Sequence, residues 1–138
     1  MSLPDAVPVF RAHFTDPIYD DPADDMAPFG SDEGWDVLMT WAPPRSSELG
    51  PDSTIATVLD VPPEQVREIA GPMDDIDGVG SAMMIVAAAF TLLRLTGRIS
   101  EDDRALALEA LDFEIEQYGE EPALLTQRRD LQSWTNPA

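Results

Sequence analysis

Between Gly78 and Leu93 the chain carries no charged residue for 16 positions, although charged residues make up 25% of the whole. Wound as a helix, Ser81 to Gly97 (SAMMIVAAAFTLLRLTG) is apolar on every side. Such a helix has no polar face to offer water, so it must be enclosed by other elements or by lipid. Length and flanks decide between the two. A spanning helix needs at least about 17 predominantly apolar residues, and Ser81–Gly97 rises only about 25 Å. Asp74, Asp75 and Asp77 precede the run, while Arg94 and Arg98 follow it. The expected fold is therefore all-α, a compact bundle of about five to six helices around a central buried helix at 81–97, with no membrane span. A chain of 138 residues suits one domain, which buries roughly 70% of the surface its unfolded form exposes.

Prolines and capping residues punctuate the rest. Residues 1–30 hold Pro4, Pro8, Pro17, Pro22 and Pro28, each of which biases its predecessor away from helix. That part is expected to be an extended or partly disordered acidic segment, outside a single helical domain at 31–136. Within it Phe10, Ala12 and Phe14 alternate as on one side of a strand-like piece. Ser31 reads as a helix cap followed by Asp32 and Glu33 at the positive end of the dipole. Trp35, Leu38, Met39 and Ala42 follow at helical spacing until Pro43-Pro44.

A second helix is expected from Asp52 or Ser53, with Ile55, Val58 and Leu59 on one face, and a third opens at Pro63 with Val66, Ile69 and Ala70 inward. Gly71-Pro72 and Asp74-Asp75-Ile76-Asp77-Gly78 turn into the central helix, with Ser81 as its expected cap and Gly97 as its left-handed stop. Ser100 and Asp103 read as a capping-box variant. Beyond them Ala105, Leu108, Leu111, Ile115 and Tyr118 mark a buried stripe, with Phe113 at its border. After Gly119, Pro122 opens a last helix in which Leu124, Leu125, Arg128, Leu131 and Trp134 recur at three- or four-residue steps.

The net charge is −19, and all eight basic residues are arginine. Such a surface repels phosphate backbones and anionic lipid, which argues against nucleic-acid and membrane partners and favours a basic protein or a cation. There is no cysteine, which removes disulfides and thiolate chemistry and suits a reducing compartment. The opening MSLPDAVPVF lacks a basic region leading into an apolar run, so it does not read as a secretory signal. A cytoplasmic location is expected.

Ile55 to Val61, followed by Val66 and Ile69, resembles the helix-turn-helix pattern, with Asp60 where glycine usually turns the chain. Aspartate tolerates the left-handed conformation. A recognition helix needs cations, however, and Pro63-Glu64-Gln65-Val66-Arg67-Glu68 sets one arginine against two glutamates. The pattern reads as two helices packed at an angle, with a degenerate DNA-binding module as the last-ranked function. Asp20-Asp21-Pro22-Ala23-Asp24-Asp25 looks like the aspartate-rich motif of prenyl-diphosphate enzymes, but Pro22 breaks the helical spacing that motif needs. Asp20, Asp21, Asp24 and Asp25 are candidates for a looser divalent-cation site. The Asp74–Gly78 run fails as a calcium loop, because Met73 and Met84 would stand at ligand positions. His13, the sole histidine, has no serine pattern or phosphate loop beside it, so no catalytic constellation is read and no cofactor is implied. Met83 and Met84 read as core filling or as the side of a pocket. Trp35 fits the buried face of its helix; Trp41 falls off that face and is read either as an exposed protein-contact residue or as packed onto a neighbouring segment.

At Pro28 to Leu38, PFGSDEGWDVL, the chain resembles a group of short acidic bacterial proteins of unknown function. Their early segment reads proline, phenylalanine, glycine or aspartate, a polar pair, then an aromatic and an acid opening a helix. A later alanine-rich helix in that group is similar to Ala82–Leu93. The resemblance implies an all-helical domain and supplies no activity. The leading expectation is a protein-binding module, an immunity-type inhibitor or regulatory subunit, that meets a basic partner through Asp32, Glu33, Trp35, Asp36 and Trp41. A small-ligand or divalent-cation domain, built on the aspartates of 16–36 or on a pocket beside Met83 and Met84, is the alternative; a homo-oligomer is compatible with either. The charge balance predicts no duplex DNA binding in a gel-shift assay at ~50 mM salt, and binding that weakens steeply with added salt would restore the DNA-binding reading.

Overall fold

The apolar run folds as a helix, and every side chain from Ile85 to Arg94 is buried. The computed structural model describes residues 3–66, 68 and 78–137. Within them the α-helices are α1 (Pro8–His13), α2 (Asp32–Thr40), α3 (Ile55–Leu59), α4 (Val79–Thr96), α5 (Glu101–Tyr118) and α6 (Pro122–Gln132), with 3-10 turns at Pro17–Asp20, Arg45–Glu48 and Pro63–Gln65. No strand occurs among the described residues. Helices α1, α2, α3 and α5 pack against α4, and α6 packs on α5. The fold is the all-α bundle around a central helix that the sequence predicts. By length and composition alone α4 would reach across a membrane; here protein surrounds it.

Local chemistry sets the helix ends. Ser31 Oγ accepts from the Gly34 amide at 3.0 Å and caps α2. Asp60 ends α3 in the left-handed region at φ 57°, and Gly97 ends α4 at φ 73°, where a Cβ would also collide with Val9. Ser100 caps α5 through the Asp103 amide at 3.1 Å. The capping box is not completed there, because the Asp103 carboxylate instead accepts from the Ile55 amide at 3.0 Å and so holds the start of α3. That helix is capped by Thr54 in reciprocal hydrogen bonds with Thr57, not by Asp52 or Ser53.

Other expectations are corrected. Helix α4 starts before Ser81, with Gly78 at its N-cap and no side-chain cap; Val79, 5% exposed, is buried in its first turn. The 9–14 piece is the helix α1 and its exit, not a strand-like stretch. Pro8 stands in its first turn, and Phe10 and Phe14, four apart, stack with ring centroids 4.7 Å apart while Ala12 is exposed. On α5 the buried face is Leu106, Ala107, Ala110, Leu111, Phe113 and Glu114, whereas Ala105 and Tyr118 are exposed and Leu108 and Ile115 half-buried. The buried face is turned from the expected stripe by about one residue, roughly 100° of helix, which carries the acid Glu114 inward. On α6 Leu125 is exposed and Arg128 half-buried, while Gln127 and Asp130 are buried with hydrogen-bond partners. Arg67, Ile69 and Ala70 of the third expected helix, and the 71–77 turn, lie outside the described residues; Val66 before them is buried.

Arg94 ties the N-terminal segment to the bundle. It is 1% exposed, and its Nε donates to the Pro4 carbonyl at 2.8 Å while Nη1 donates to the Tyr19 carbonyl at 2.9 Å. Nη1 also stands 3.0 Å from the Asp20 carboxylate. The rings of Phe10 and Phe29 lie 5.9 and 5.5 Å from the guanidinium. Burial lowers the Arg94 pKa, opposed by the hydrogen bond and charge of Asp20. Nearby, the Tyr19 hydroxyl donates to Asp130 at 2.8 Å; burial and then that bond push its pKa far up. His13 Nε2 donates to the Asp130 carbonyl at 2.7 Å, a packing role for the sole histidine. Arg94→Ala leaves two carbonyls without their donor and is expected to lower unfolding free energy by about 3–5 kcal/mol. Asp20, half exposed, supports less, so Asp20→Asn should lower it by about 1 kcal/mol. Urea denaturation of both variants checks the order.

Candidate functional site

Where the 24–30 turns meet α2, α4 and α5, a groove of about 540 Å³ opens. Asp25 and Met26 come from the turns, Ser31, Asp32 and Glu33 from the start of α2, Val79, Gly80 and Met83 from α4, and Tyr118 from the end of α5. Local sequence makes this packing. Asp24 Oδ1 accepts from the Met26 amide at 2.9 Å, closing an Asx turn. Glycine is required at 30 and 34, because a Cβ at Gly30 would overlap the Asp24 carbonyl and one at Gly34 the Pro28 carbonyl. Gln127 Nε2 donates to the Met26 carbonyl at 2.6 Å and to the Ala123 carbonyl at 3.0 Å, which fixes the turns against α6. Asp32 and Glu33 occupy the first turn of α2, where the helix dipole favours acids.

Behind Met26 and Met83 lies a recess of about 10 Å³, barely room for one water, which Glu114 lines together with Val86, Gln127 and the 25–28 turn. Glu114 is 3% exposed. Burial pushes its carboxyl up to about 8, and among the described residues it has no hydrogen bond or ion pair. At pH 7 it therefore holds its proton. Burial raises the Tyr118 pKa, reinforced by Glu114, Glu33 and Asp25 in that order. The groove thus holds three carboxylates and adjoins the recess of the neutral buried acid, with no arginine lining either. Such a site attracts cations.

The expected contact residues are divided by the structure. Asp32 and Glu33 reach this groove, but Asp36 and Trp41 line another of about 240 Å³, with Arg45 and Met84. Trp35 is half-buried. Trp41 is not exposed: it is 5% accessible, its Nε1 donates to the Val58 carbonyl at 2.9 Å, and Arg45 covers its ring at 4.2 Å. The helix ends at Thr40, so Trp41 leaves the helical projection and its ring turns inward.

The four aspartates are not brought together as a cation site. Asp20 faces Arg94 at 3.0 Å and Arg11 at 3.1 Å; desolvation raises its pKa, but the two arginines outweigh that and hold it low. Asp21 and Asp24 each close their own turn. Among the described residues no group of three or more His, Cys, Asp or Glu stands placed to hold a metal ion. Glu114 and Tyr118 are functional candidates that the sequence does not single out as such. The signal for Glu114 was its spacing, since 107, 110, 111 and 114 share one helical face.

The chain is 31% identical over 117 residues to the uncharacterized protein YfeS of Escherichia coli (strain K12), an alignment covering 75% of this chain and 48% of that protein. The chain thus spans about half the length of the curated relative it matches. No family model and no solved structure matches it. The similarity supports the broad resemblance to bacterial proteins of unknown function and brings no activity with it.

The buried carboxyl has a signature in stability. Its pKa is raised on folding, from 4.5 to about 8, so the native state binds the extra proton between those values. Its contribution is whole below the unfolded pKa and is lost as pH rises through the folded one, at up to roughly 1.4 kcal/mol per pH unit. Glu114→Gln removes the titrating proton and keeps the shape. Thermal melts at pH 5 and pH 8 should show a smaller fall in Tm for Glu114→Gln than for the parent, with the variant the more stable at pH 8.

Proposed function

We propose that this protein is a cytoplasmic binding module that recognises a basic partner protein through the acidic groove between α2, α4 and α5, as an immunity-type inhibitor or a regulatory subunit. The observation that carries the reading is the lining of that groove, where Asp25, Asp32 and Glu33 surround one opening without an arginine, on a chain of net charge −19. A field of this sign speeds encounter with a basic surface and disfavours acidic ones. Charge on a rim contributes little affinity by itself, and Met26, Met83 and Tyr118 supply the apolar centre that an interface needs. The Pro28–Leu38 segment that resembles the short acidic bacterial proteins forms one wall, so the likeness falls on the proposed binding surface. The absence of cysteine suits a reducing compartment.

Immobilised protein, exposed to a lysate of its source cells, is expected to retain basic proteins at about 0.05 M salt and to release them at about 0.5 M. A double variant, Asp32→Asn with Glu33→Gln, should lose most of that retention while its melting temperature stays within a few degrees of the parent's. Equal retention by the double variant, or retention without preference for basic proteins, contradicts the reading.

A further inference from the structure

We propose that the recess behind Met26 and Met83 is a subsite for one cationic side chain of the partner, a lysine or an arginine, whose charged head pairs with the Glu114 carboxylate. The inference rests on the groove being a surface for a basic protein, and it names the atoms at which that protein is read.

Glu114 meets little water in the free protein. It is 3% exposed and has no hydrogen-bond partner among the described residues, so its carboxyl keeps only a trace of solvent contact and is costly to ionise. Ser31 Oγ accepts from the Gly34 amide, and both hydrogens of Gln127 Nε2 are directed to the Met26 and Ala123 carbonyls. At about 10 Å³ the recess is at the limit for even one water. A buried carboxyl left in this condition is suited to a donor that arrives from outside.

The approach to it fits that donor. Asp25, Met26, Ser31 and Met83 line both the recess and the larger groove, so the two share a wall. Methionine side chains are unbranched and adaptable, so Met26 and Met83 can part around the aliphatic stem of a lysine or arginine. Asp25, Asp32 and Glu33 at the mouth draw the charged head in and disfavour an anion. Of the titratable groups nearby, Asp25 from the turns lines the recess with Glu114, while Asp32 and Glu33 from α2 and the neutral Tyr118 phenol on its own helix line the adjoining groove. Met83 and Val86 from α4, and Gln127 from α6, do not titrate.

Seating a cation there has a proton balance. At pH 7 the Glu114 O–H bond breaks, the proton passes to solvent, and the carboxylate pairs with the ammonium or guanidinium. Hexalysine and hexaarginine amides serve as probes, with calorimetry in two buffers of different ionisation enthalpy to count protons. The expected result is release of a substantial fraction of one proton per peptide bound, for at least one probe, with affinity rising by up to about tenfold per pH unit between pH 6 and pH 8. Glu114→Gln should bind more weakly without the release. Asp32→Asn with Glu33→Gln should bind more weakly with the release kept. If Glu114→Gln matches the parent in affinity and proton count, the subsite is overturned and the groove reading stands. If neither peptide binds the parent, both fall. Comparing the two peptides tells ammonium from guanidinium.

Discussion

The guanidinium of Arg94 is the interaction on which the rest of this structure depends. It sits at the last turn of a helix that carries no other charged residue, and it is buried there. A charge in that position is stable only when its hydrogens find acceptors. Two carbonyls and one carboxylate of the N-terminal segment provide them, so the segment is held by the core and the core charge is satisfied by the segment. The Val7 amide completes the exchange by donating to the Arg94 carbonyl at 2.9 Å, one of the groups that a helix end leaves open. In a chain of net charge −19, this anchoring also offsets the mutual repulsion of acids folded close together.

From that anchor the groove follows in order along the chain. Holding Tyr19 and Asp20 fixes where the 21–30 turns begin, and the Asp24 turn and Gly30 bend them back across the start of α2. Gln127 then pins Met26 from the other side. The result is a wall over Met83 that buries Glu114. Nothing in α4 or α5 alone would keep water from that carboxyl. Its raised pKa is thus a consequence of how the proline-rich segment packs, and the groove's acidic character and its buried acid share one cause.

Much of this was legible from residue patterns. The uncharged run at 78–93, the Ser31 and Ser100 caps, the Asp60 turn and the Gly97 stop are all decided within a few neighbouring residues, and local chemistry is what a sequence displays. The features that went unread are those decided by partners far away. Arg94 looked like a flanking charge because its acceptors lie about 75 residues earlier. Glu114 is not singled out by the sequence, because an acid on a helix is usually solvated, although its register with Ala107, Ala110 and Leu111 places it on the buried face. Trp41 falls off the face of its helix, and the choice between contact residue and packed ring is decided by the Val58 carbonyl, 17 residues on, which its Nε1 reaches. Residues 8–13 read as extended because alternation and helical spacing both fit Phe10 and Phe14, and only stacking of the two rings distinguishes them. For Arg94 and Trp41 the missing term was a distant partner; for residues 8–13 two local patterns fitted the same residues.

The central claim is that this fold holds a protonated carboxyl at the floor of an acidic groove. Following the Glu114 side-chain carboxyl carbon by NMR through a pH titration of the folded protein tests it directly. A midpoint at about 8 is the predicted result. A midpoint near the ordinary glutamate value of 4.5 would mean that water or a cation already reaches Glu114, and would contradict both the burial and the site built on it.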